Sequence, residues 1–197
     1  MEQDRLERQM QFILEIDRLK AVLRRNYLSD GSRRENDTEH SWHLAMMVMV
    51  LSEYFKGADL LKTIKMVLIH DLVEIYAGDT FAYDEQAHGD KEERETRAAE
   101  KLFSLLPEDQ AEEYRSLWQE FERAESAEAL CAATVDRVEP LLLNSSSQGK
   151  MWKEYGITVE QVYNRNRLVF ERAPRVIAEY VGRMIEDASK KGYFRKE

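Results

Sequence analysis

The segment HDLVEIYAGD, residues 70–79, places within ten positions four side chains that can bind a metal ion or move a proton. It follows KTIKMVLI, an apolar run that is typical of a buried helix. If the helix continues, Glu74 lies near both His70 and Asp71, because residues three and four apart share a helical face. An imidazole nitrogen and a carboxylate oxygen are two ligands for a divalent metal ion. Two ligands hold a metal poorly, so this segment predicts further ligands elsewhere in the chain.

Two other residues have suitable chemistry. His40 stands at the start of the apolar run SWHLAMMVMVL, and Asp136 lies within ALCAATVDRVEP. On a helix, Asp136 is flanked by Ala132 and Ala133, small residues that let another helix approach closely. A carboxylate buried at such a close helix contact is unfavourable unless a cation pairs with it. Metal coordination would satisfy Asp136, and so would a salt bridge.

The other histidines, the cysteine and a methionine cluster are more readily structural. We interpret His43 as a packing residue or as a support for a ligand, and His88 as a solvated loop residue. Cys131 lies among alanines and reads as a small buried hydrophobe. A cluster of methionines is predicted to fill the core: Met46, Met47 and Met49. Taken alone, each candidate ligand is also more readily a structural ion pair than a metal ligand.

Composition predicts an all-α fold in one domain, residues 1–197. The chain has 197 residues, of which 43% are hydrophobic and 34% charged, with only 3 prolines and 8 glycines. Few turn residues and long amphipathic stretches favour helices over hairpins. The predicted helices cover about residues 4–24, 40–55, 60–75, 91–106, 107–124, 126–144, 158–170 and 174–191. Thr38 is the expected N-cap of the second helix, and residues 24–40 and 77–90 are expected to be loops.

Charge and cysteine content exclude several classes of protein. The formal net charge of −9 argues against general nucleic-acid binding, which requires a basic face. No apolar run reaches the roughly 18 residues of a membrane span. The single cysteine excludes a disulfide framework, so we expect a reduced, cytoplasmic setting. A small anionic substrate stays compatible with the charge, because a metal ion can reverse the field in one pocket.

The order and spacing of the candidate ligands resemble a known pattern. About 30 residues separate His40 from His70–Asp71, and about 65 separate that pair from Asp136. This H…HD…D arrangement resembles the HD-domain metal-dependent phosphohydrolases. The flanking segments RRENDTEHS and HDLVEIYAGD resemble the subgroup that contains the bacterial 5′-deoxynucleotidases. The resemblance covers about residues 10–175 and implies an HD-type bundle of six to nine helices, with a motif core at about 36–140.

The resemblance also implies the parts of an active site. One divalent cation, such as Mn, Co, Fe or Zn, would be bound by four residues: His40, His70, Asp71 and Asp136. Glu74 would handle protons around the attacking water, and Asp79 would act near the scissile phosphate and the leaving group. Gly78–Asp79 can also be a simple helix C-terminus with a capping turn, and we favour the functional interpretation of Asp79.

Substrate contacts follow from the same resemblance. Arg25, fifteen residues before His40, occupies the position of the phosphate-binding arginine, while Arg33 and Arg34 would add positive potential. In the deoxynucleotidases a tryptophan follows that arginine and crowds the sugar 2′ position. This chain has Asn26 there, so selection for deoxyribose does not follow from the sequence.

The implied function is hydrolysis of (deoxy)nucleoside 5′-monophosphates to nucleoside and phosphate. The alternatives are a regulatory HD protein that binds a metal and a nucleotide, a hydrolase of another small phosphoester, and a purely structural set of ion pairs. Relatives commonly form homodimers, and we expect the same here. Four aromatic residues could serve that surface or belong to the core: Trp118, Phe121, Trp152 and Tyr155.

Overall fold

Eleven α-helices and one two-stranded sheet are present in the computed structural model, which describes residues 2–84 and 89–195. The helices are α1 Glu2–Ile16, α2 Asp37–Leu51, α3 Leu60–Ile69, α4 Glu74–Ala77, α5 Lys91–Phe103, α6 Glu108–Arg123, α7 Ala127–Ser146, α8 Lys150–Glu154, α9 Val159–Arg165, α10 Arg167–Arg172 and α11 Arg175–Lys190. The all-α prediction is confirmed. Seven of these helices have ten or more residues, which agrees with the six to nine expected, and four shorter ones accompany them. His88 lies outside the described residues.

A short antiparallel sheet occupies the region that was predicted to be the end of the first helix and a loop. Helix α1 ends at Ile16, and a 3-10 turn, Asp17–Ala21, leads into strand β1, Leu23–Tyr27. Strand β2, Arg34–Asn36, pairs with it so that Leu23 lies opposite Asn36. The connecting turn contains Gly31 at a φ of 71°, a conformation that glycine adopts without strain. The pairing register shifts between Leu23 and Tyr27, so β1 does not alternate regularly over residues 24–26.

Helix α2 begins three residues earlier than predicted, and its N-cap is Asn36, not Thr38. The Asn36 side chain accepts a hydrogen bond from the Glu39 backbone N–H at 3.0 Å. The Glu39 carboxylate accepts in turn from the Asn36 backbone N–H at 3.2 Å. This reciprocal capping box satisfies two N–H groups that the helix itself leaves free. It places His40 in the first turn, where the side chain is fully buried.

The predicted helix 60–75 is divided into three segments at the HD motif. Helix α3 ends at Ile69, residues 70–73 form a 3-10 turn, and α4 begins at Glu74. A 3-10 turn is tighter than an α-helix and changes the direction of successive side chains. His70, Asp71 and Glu74 therefore do not share a single α-helical face. The turn nevertheless keeps all three buried.

Helix α7 forms the centre of the bundle and packs against α2, α3, α6 and α11. Ala132 and Ala133 are buried, as the close approach of neighbouring helices requires. Cys131 is also buried, and burial raises the pKa of its thiol to about 12, which agrees with an inert core residue.

One group of apolar residues differs from expectation, and a second resolves an alternative. Met47 is buried, but Met46 and Met49 are exposed, so the methionine cluster fills the core only in part. Of the aromatic residues expected either at a dimer surface or in the core, three lie in the core: Trp118, Phe121 and Trp152. Their burial follows from their positions on α6 and α8, whose inward faces meet the bundle.

Candidate metal centre and the cavity around it

Three elements bring the four predicted ligands together. His40 comes from α2, His70 and Asp71 come from the 3-10 turn, and Asp136 comes from α7. The His40 Nε2 atom lies 3.2 Å from Asp136 Oδ1 and 3.9 Å from Asp71 Oδ2. The His70 Nε2 atom lies 3.1 Å from Asp71 Oδ1 and 3.8 Å from Asp136 Oδ1. Ligand atoms about 3 to 4 Å apart can surround one metal ion at bond lengths of about 2.0–2.2 Å.

The contacts of the two Nδ1 atoms determine which nitrogen of each imidazole carries the proton. The His70 Nδ1–H donates to the Val67 carbonyl oxygen at 2.8 Å. The His40 Nδ1–H donates to Glu139 Oε2 at 3.2 Å. Each imidazole is thereby oriented with Nε2 toward the other ligands, the arrangement that supports metal-binding histidines. His70 Nε2 is enclosed and makes no hydrogen bond within the described chain, so a metal ion would satisfy it.

The electrostatics also fit a cation. Burial lowers the pKa of both imidazoles, but the surrounding carboxylates outweigh it. Hydrogen bonds to Asp136 and Glu139 raise the pKa of His40 to about 9, against an opposing effect of Arg24. Asp71 and Asp136 raise the pKa of His70 to about 10. The site thus attracts positive charge strongly, and a bound metal ion would take the place of these protons.

A second layer of carboxylates supports His40, and sequence reasoning missed it. Glu139 also accepts a hydrogen bond from His43 Nδ1 at 2.9 Å, which agrees with the supporting role interpreted for His43. Glu35 lies 3.7 Å from His40 Nδ1. Burial and the neighbouring Glu139 raise the pKa of Glu35 to about 8. Glu139 stands three residues after Asp136, so helical spacing offered a signal for it, whereas none pointed to Glu35.

Arg24, which the sequence did not single out, is one of the arginines that contact the centre. Its Nη1 atom lies 2.9 Å from Asp71 Oδ2 and 3.2 Å from Asp37 Oδ1. Arg25, the predicted phosphate ligand, is the next residue of β1 and is exposed, and it lines the same cavity beside the centre. The two residues differ in their contacts: Arg24 pairs with buried carboxylates, whereas Arg25 is exposed.

Three carboxylates, Asp37, Glu74 and Asp79, form a separate group beside the centre. Each offers one oxygen, and these oxygens lie within 4.8 Å of one another. Burial and the neighbouring Asp71 raise the pKa of Asp37 to about 6, and burial together with Asp71 and Asp37 raises the pKa of Glu74 well above its ordinary value. Glu74 and Asp79 line the cavity, where their predicted roles require them to be. Asp37 was not among the residues that the sequence suggested.

Arg33 and Arg34 lie away from the centre. The Arg33 guanidinium is exposed and pairs with the Glu39 carboxylate, and Arg33 does not line the cavity. Its predicted contact with a substrate is therefore not supported by its position. Arg34 donates to Glu154 at 2.8 Å and to the Tyr155 hydroxyl at 2.9 Å. Both arginines stabilise the sheet region.

The cavity next to the centre combines cations with aromatic rings. Its cationic lining residues, besides Arg24 and Arg25, are Lys91, Arg137 and Arg165. The Arg165 Nη2 atom lies 3.5 Å from Asp136 Oδ2, so Arg165 adjoins the centre as Arg24 does. The aromatic lining residues of the cavity are Phe81, Tyr83, Phe121 and Trp152, and its acidic lining residues outside the predicted ligand set are Glu74, Asp79, Glu95 and Glu122. The cations and the rings suit a ligand that carries an anionic group and a flat ring.

Asn26 lies at the same cavity and is buried. Its side-chain oxygen accepts a hydrogen bond from Asn144 Nδ2 at 3.0 Å. A small amide therefore occupies the position at which the deoxynucleotidases were expected to have a tryptophan.

Among the described helices, none is long and apolar enough to cross a membrane.

Comparison with known proteins identifies relatives of this site. A crystal structure of a predicted metal-dependent phosphohydrolase from Magnetospirillum magnetotacticum MS-1 is 45% identical, covers 100% of this chain and 98% of that one, and superposes with a TM-score of 0.94. The human 5′-deoxynucleotidase HDDC2 is 31% identical over 134 residues, and the Dictyostelium discoideum protein of the same name is 31% identical over 140 residues. These alignments span 68% of this chain, 65% of the human protein and 74% of the Dictyostelium protein. The HD domain model matches residues 16–177, most of the chain. The chain belongs to the HD domain family.

Proposed function

We propose that this protein is a metal-dependent phosphohydrolase that converts nucleoside 5′-monophosphates into nucleoside and phosphate. The observation that carries the proposal is the convergence of His40, His70, Asp71 and Asp136 beside a cavity that is also lined by cations, acidic residues and aromatic rings. Of these four residues, His70, Asp71 and Asp136 line the cavity themselves. The relatives named 5′-deoxynucleotidase support the same class of substrate.

The four ligands offer two nitrogens and two carboxylate oxygens to one divalent cation. This mixed donor set suits first-row ions such as Mn, Fe, Co and Zn. A metal in this position would polarise a phosphoryl oxygen and make a bound water acidic. The buried Nε2 of His70 makes no hydrogen bond within the described chain and lies 3.1 Å from Asp71 Oδ1, which agrees with two ligands of one metal ion.

The chain's own residues would bind the phosphate and move the protons. Arg25 and Arg165 line the cavity on different elements, β1 and α9, so their guanidinium groups can hold phosphate oxygens from two sides. Glu74 would accept the proton of the attacking water, because it lines the cavity beside the centre. Burial, together with Asp71 and Asp37, raises its pKa, which favours the protonated form that this transfer produces. Asp79 would assist the departing 5′ oxygen. The aromatic lining would enclose the nucleoside.

The experiment that tests this function is phosphate release from a panel of 5′-ribo- and 5′-deoxyribonucleoside monophosphates, with Mn²⁺ or Co²⁺ added and EDTA as control. We expect metal-dependent release. Release from the deoxy set alone would show that Asn26 does not abolish sugar selection. Equal release from both sets would retain the chemistry and discard deoxy specificity. If no member of the panel shows metal-dependent phosphate release, the proposal is wrong. The protein would then be a regulatory protein or a hydrolase of another phosphoester.

We also propose that two copies of the chain associate through an exposed apolar face on α2 and α3. Its largest exposed residues are Trp42, Met46, Met49, Val50, Leu61 and Leu68. Contiguous apolar surface of this kind marks association sites, and a two-fold dimer pairs the same face on both copies.

Trp42→Glu is expected to convert the dimer into a monomer in sedimentation velocity, because it would bury a charge in the interface. Val176→Glu, at an exposed apolar position on α11, is the matched control and should leave the dimer intact. A wild-type protein that sediments as a monomer would contradict the dimer.

A further inference from the structure

Helix α5 brings to the cavity an ion pair that no step of the proposed function uses. Lys91 and Glu95 lie one helical turn apart on α5, and Lys91 Nζ is 3.2 Å from Glu95 Oε2. Both residues line the cavity beside the HD centre. Helix α5 packs against α4 and against the 3-10 turn that carries His70 and Asp71. Lys91 therefore approaches the centre from an element that supplies neither a metal ligand nor an arginine assigned to the phosphate.

The burial of Glu95 distinguishes this pair from an ordinary surface pair. Glu95 is only 4% exposed. A buried carboxylate is costly unless a cation pairs with it, and in the described part of the chain Lys91 is that cation. Arg97 and Glu93 form a pair of the same spacing on the same helix, but both of their side chains are exposed. The ammonium of Lys91 is thus held at the cavity by a buried partner, whereas Arg97 is paired in solvent.

The electrostatics keep the Lys91 ammonium charged and leave it able to bind a ligand. Burial lowers the pKa of Lys91, but Glu95, Glu122 and Asp71 outweigh that effect and raise it above its ordinary value. An ammonium group has three N–H donors and no acceptor, so one bond to Glu95 leaves donors for a ligand. The side chain of Lys91 is 32% exposed, and a ligand in the cavity can reach it.

We propose that Lys91 binds a non-bridging oxygen of the substrate's phosphate group and that Glu95 is the residue that positions it. The proposal rests on the proposed function, to which it adds a third phosphate ligand besides Arg25 and Arg165. Lysine binds phosphate as a point charge. Phosphoryl transfer spreads negative charge over the equatorial oxygens of the phosphoryl group, and a cation fixed in advance stabilises that charge without reorganising.

The first test needs no turnover. It measures by calorimetry how tightly the Mn²⁺-loaded full-length protein binds inorganic phosphate, the expected product. We expect Lys91→Met to weaken this binding about ten-fold or more, and Lys91→Arg to retain most of it. Arg97→Met is the matched control, because Arg97 has the same spacing to its glutamate on the same helix but does not line the cavity. It should bind phosphate as the wild type does.

The second test uses the nucleotide substrates and examines Glu95. Lys91→Met is expected to lower kcat/KM for phosphate release about 10² to 10³-fold, the usual effect of removing one donor that stabilises the transition state. Glu95→Gln is expected to lower it less. Since Glu95 acts through Lys91, Glu95→Gln should cause no further loss when Lys91 is already methionine. A purely structural role of Glu95 would instead give additive losses.

The outcomes separate this proposal from the proposed function. Wild-type phosphate affinity in Lys91→Met would overturn the role of Lys91, and additive losses in the double variant would overturn the role of Glu95. Phosphate binding that depends on Lys91, in a protein that hydrolyses no nucleotide, would support the phosphate ligand and reject the monophosphatase instead.

We expect Lys91→Met to fold. Burial and the neighbouring Glu122 raise the pKa of Glu95 and Lys91 opposes them, so Glu95 can take up a proton when its partner is removed. Thermal melts check this. If Lys91→Met does not fold, Lys91→Gln replaces it in both tests, because glutamine can still donate a hydrogen bond to Glu95 but carries no charge.

Discussion

Asp136→Asn is expected to lower metal-dependent phosphate release about a thousand-fold or more, which corresponds to ~4 kcal/mol of transition-state stabilisation. The reason is geometric. Asp136 Oδ1 is the atom that lies between the two imidazoles, 3.2 Å from His40 Nε2 and 3.8 Å from His70 Nε2. An amide keeps the shape of the side chain but removes its charge, so the centre loses a strong ligand. Mn²⁺ titration by calorimetry measures the loss of metal affinity, and a phosphate-release assay measures the loss of activity.

The stability of the variant must be measured separately from its metal affinity. Asp136 is buried, and Arg165 lies 3.5 Å from its second oxygen, so Asp136→Asn also removes an ion pair. Thermal melts in EDTA report the fold without the metal, and melts with Mn²⁺ report binding. We expect Mn²⁺ to raise the melting temperature of the wild type and not that of the variant. Wild-type Mn²⁺ affinity in Asp136→Asn would contradict the ligand assignment.

The four candidate metal ligands could be proposed from the sequence because their chemistry and order are both unusual. His40, His70, Asp71 and Asp136 belong to three separate elements, and no local rule brings those elements together. Their spacing resembled a family pattern, and the structure places His40, His70 and Asp136 within 4.8 Å of one another, with Asp71 beside both imidazoles. Helix positions were also predictable, since apolar periodicity and helix-breaking residues are local features of the chain.

The choice between Arg24 and Arg25 could not be predicted in the same way. When residues 24–40 are predicted to be a loop, the sequence does not indicate in which direction the side chain of Arg24 or of Arg25 points. Strand β1 pairs with β2, and Arg34 ties the pair to Glu154 and Tyr155. The pairing register shifts between Leu23 and Tyr27, so the directions of Arg24 and Arg25 follow from tertiary contacts: Arg24 pairs with Asp71, and Arg25 is the exposed residue at the cavity. These contacts join residues that are far apart in the sequence, so local periodicity does not predict them.

The supporting residues were missed for a related reason. Asp37 and Glu35 lie before or in the first turn of α2, where acidic residues are common for helix capping alone. Lys91 and Arg165 reach the cavity from α5 and α9, far from the motif in sequence. Their positions at the cavity depend on how the other helices pack around α7. Only Glu139, on the same helix as Asp136, had a local signal.

Glu74→Gln is expected to lower kcat by about 10² to 10⁴-fold, the usual contribution of a general acid or base, while the HD centre keeps its metal. Glutamine has nearly the shape of glutamate, and Glu74 is not one of the four ligands, so Mn²⁺ should still bind at His40, His70, Asp71 and Asp136. The KM should change much less than kcat. Steady-state kinetics, with Mn²⁺ binding measured on the same samples, separate this behaviour from that of Asp136→Asn. Glu92→Gln, an exposed acid on α5, is the control.

Comparison of Glu74→Gln with Asp79→Asn then distinguishes the two carboxylates that line the cavity in the group formed by Asp37, Glu74 and Asp79. If Glu74→Gln loses more of kcat than Asp79→Asn, Glu74 accepts the proton from water and Asp79 has the lesser role. Unchanged kcat in Glu74→Gln would contradict this assignment, and the proton would then pass to Asp79, whose variant should lose kcat instead.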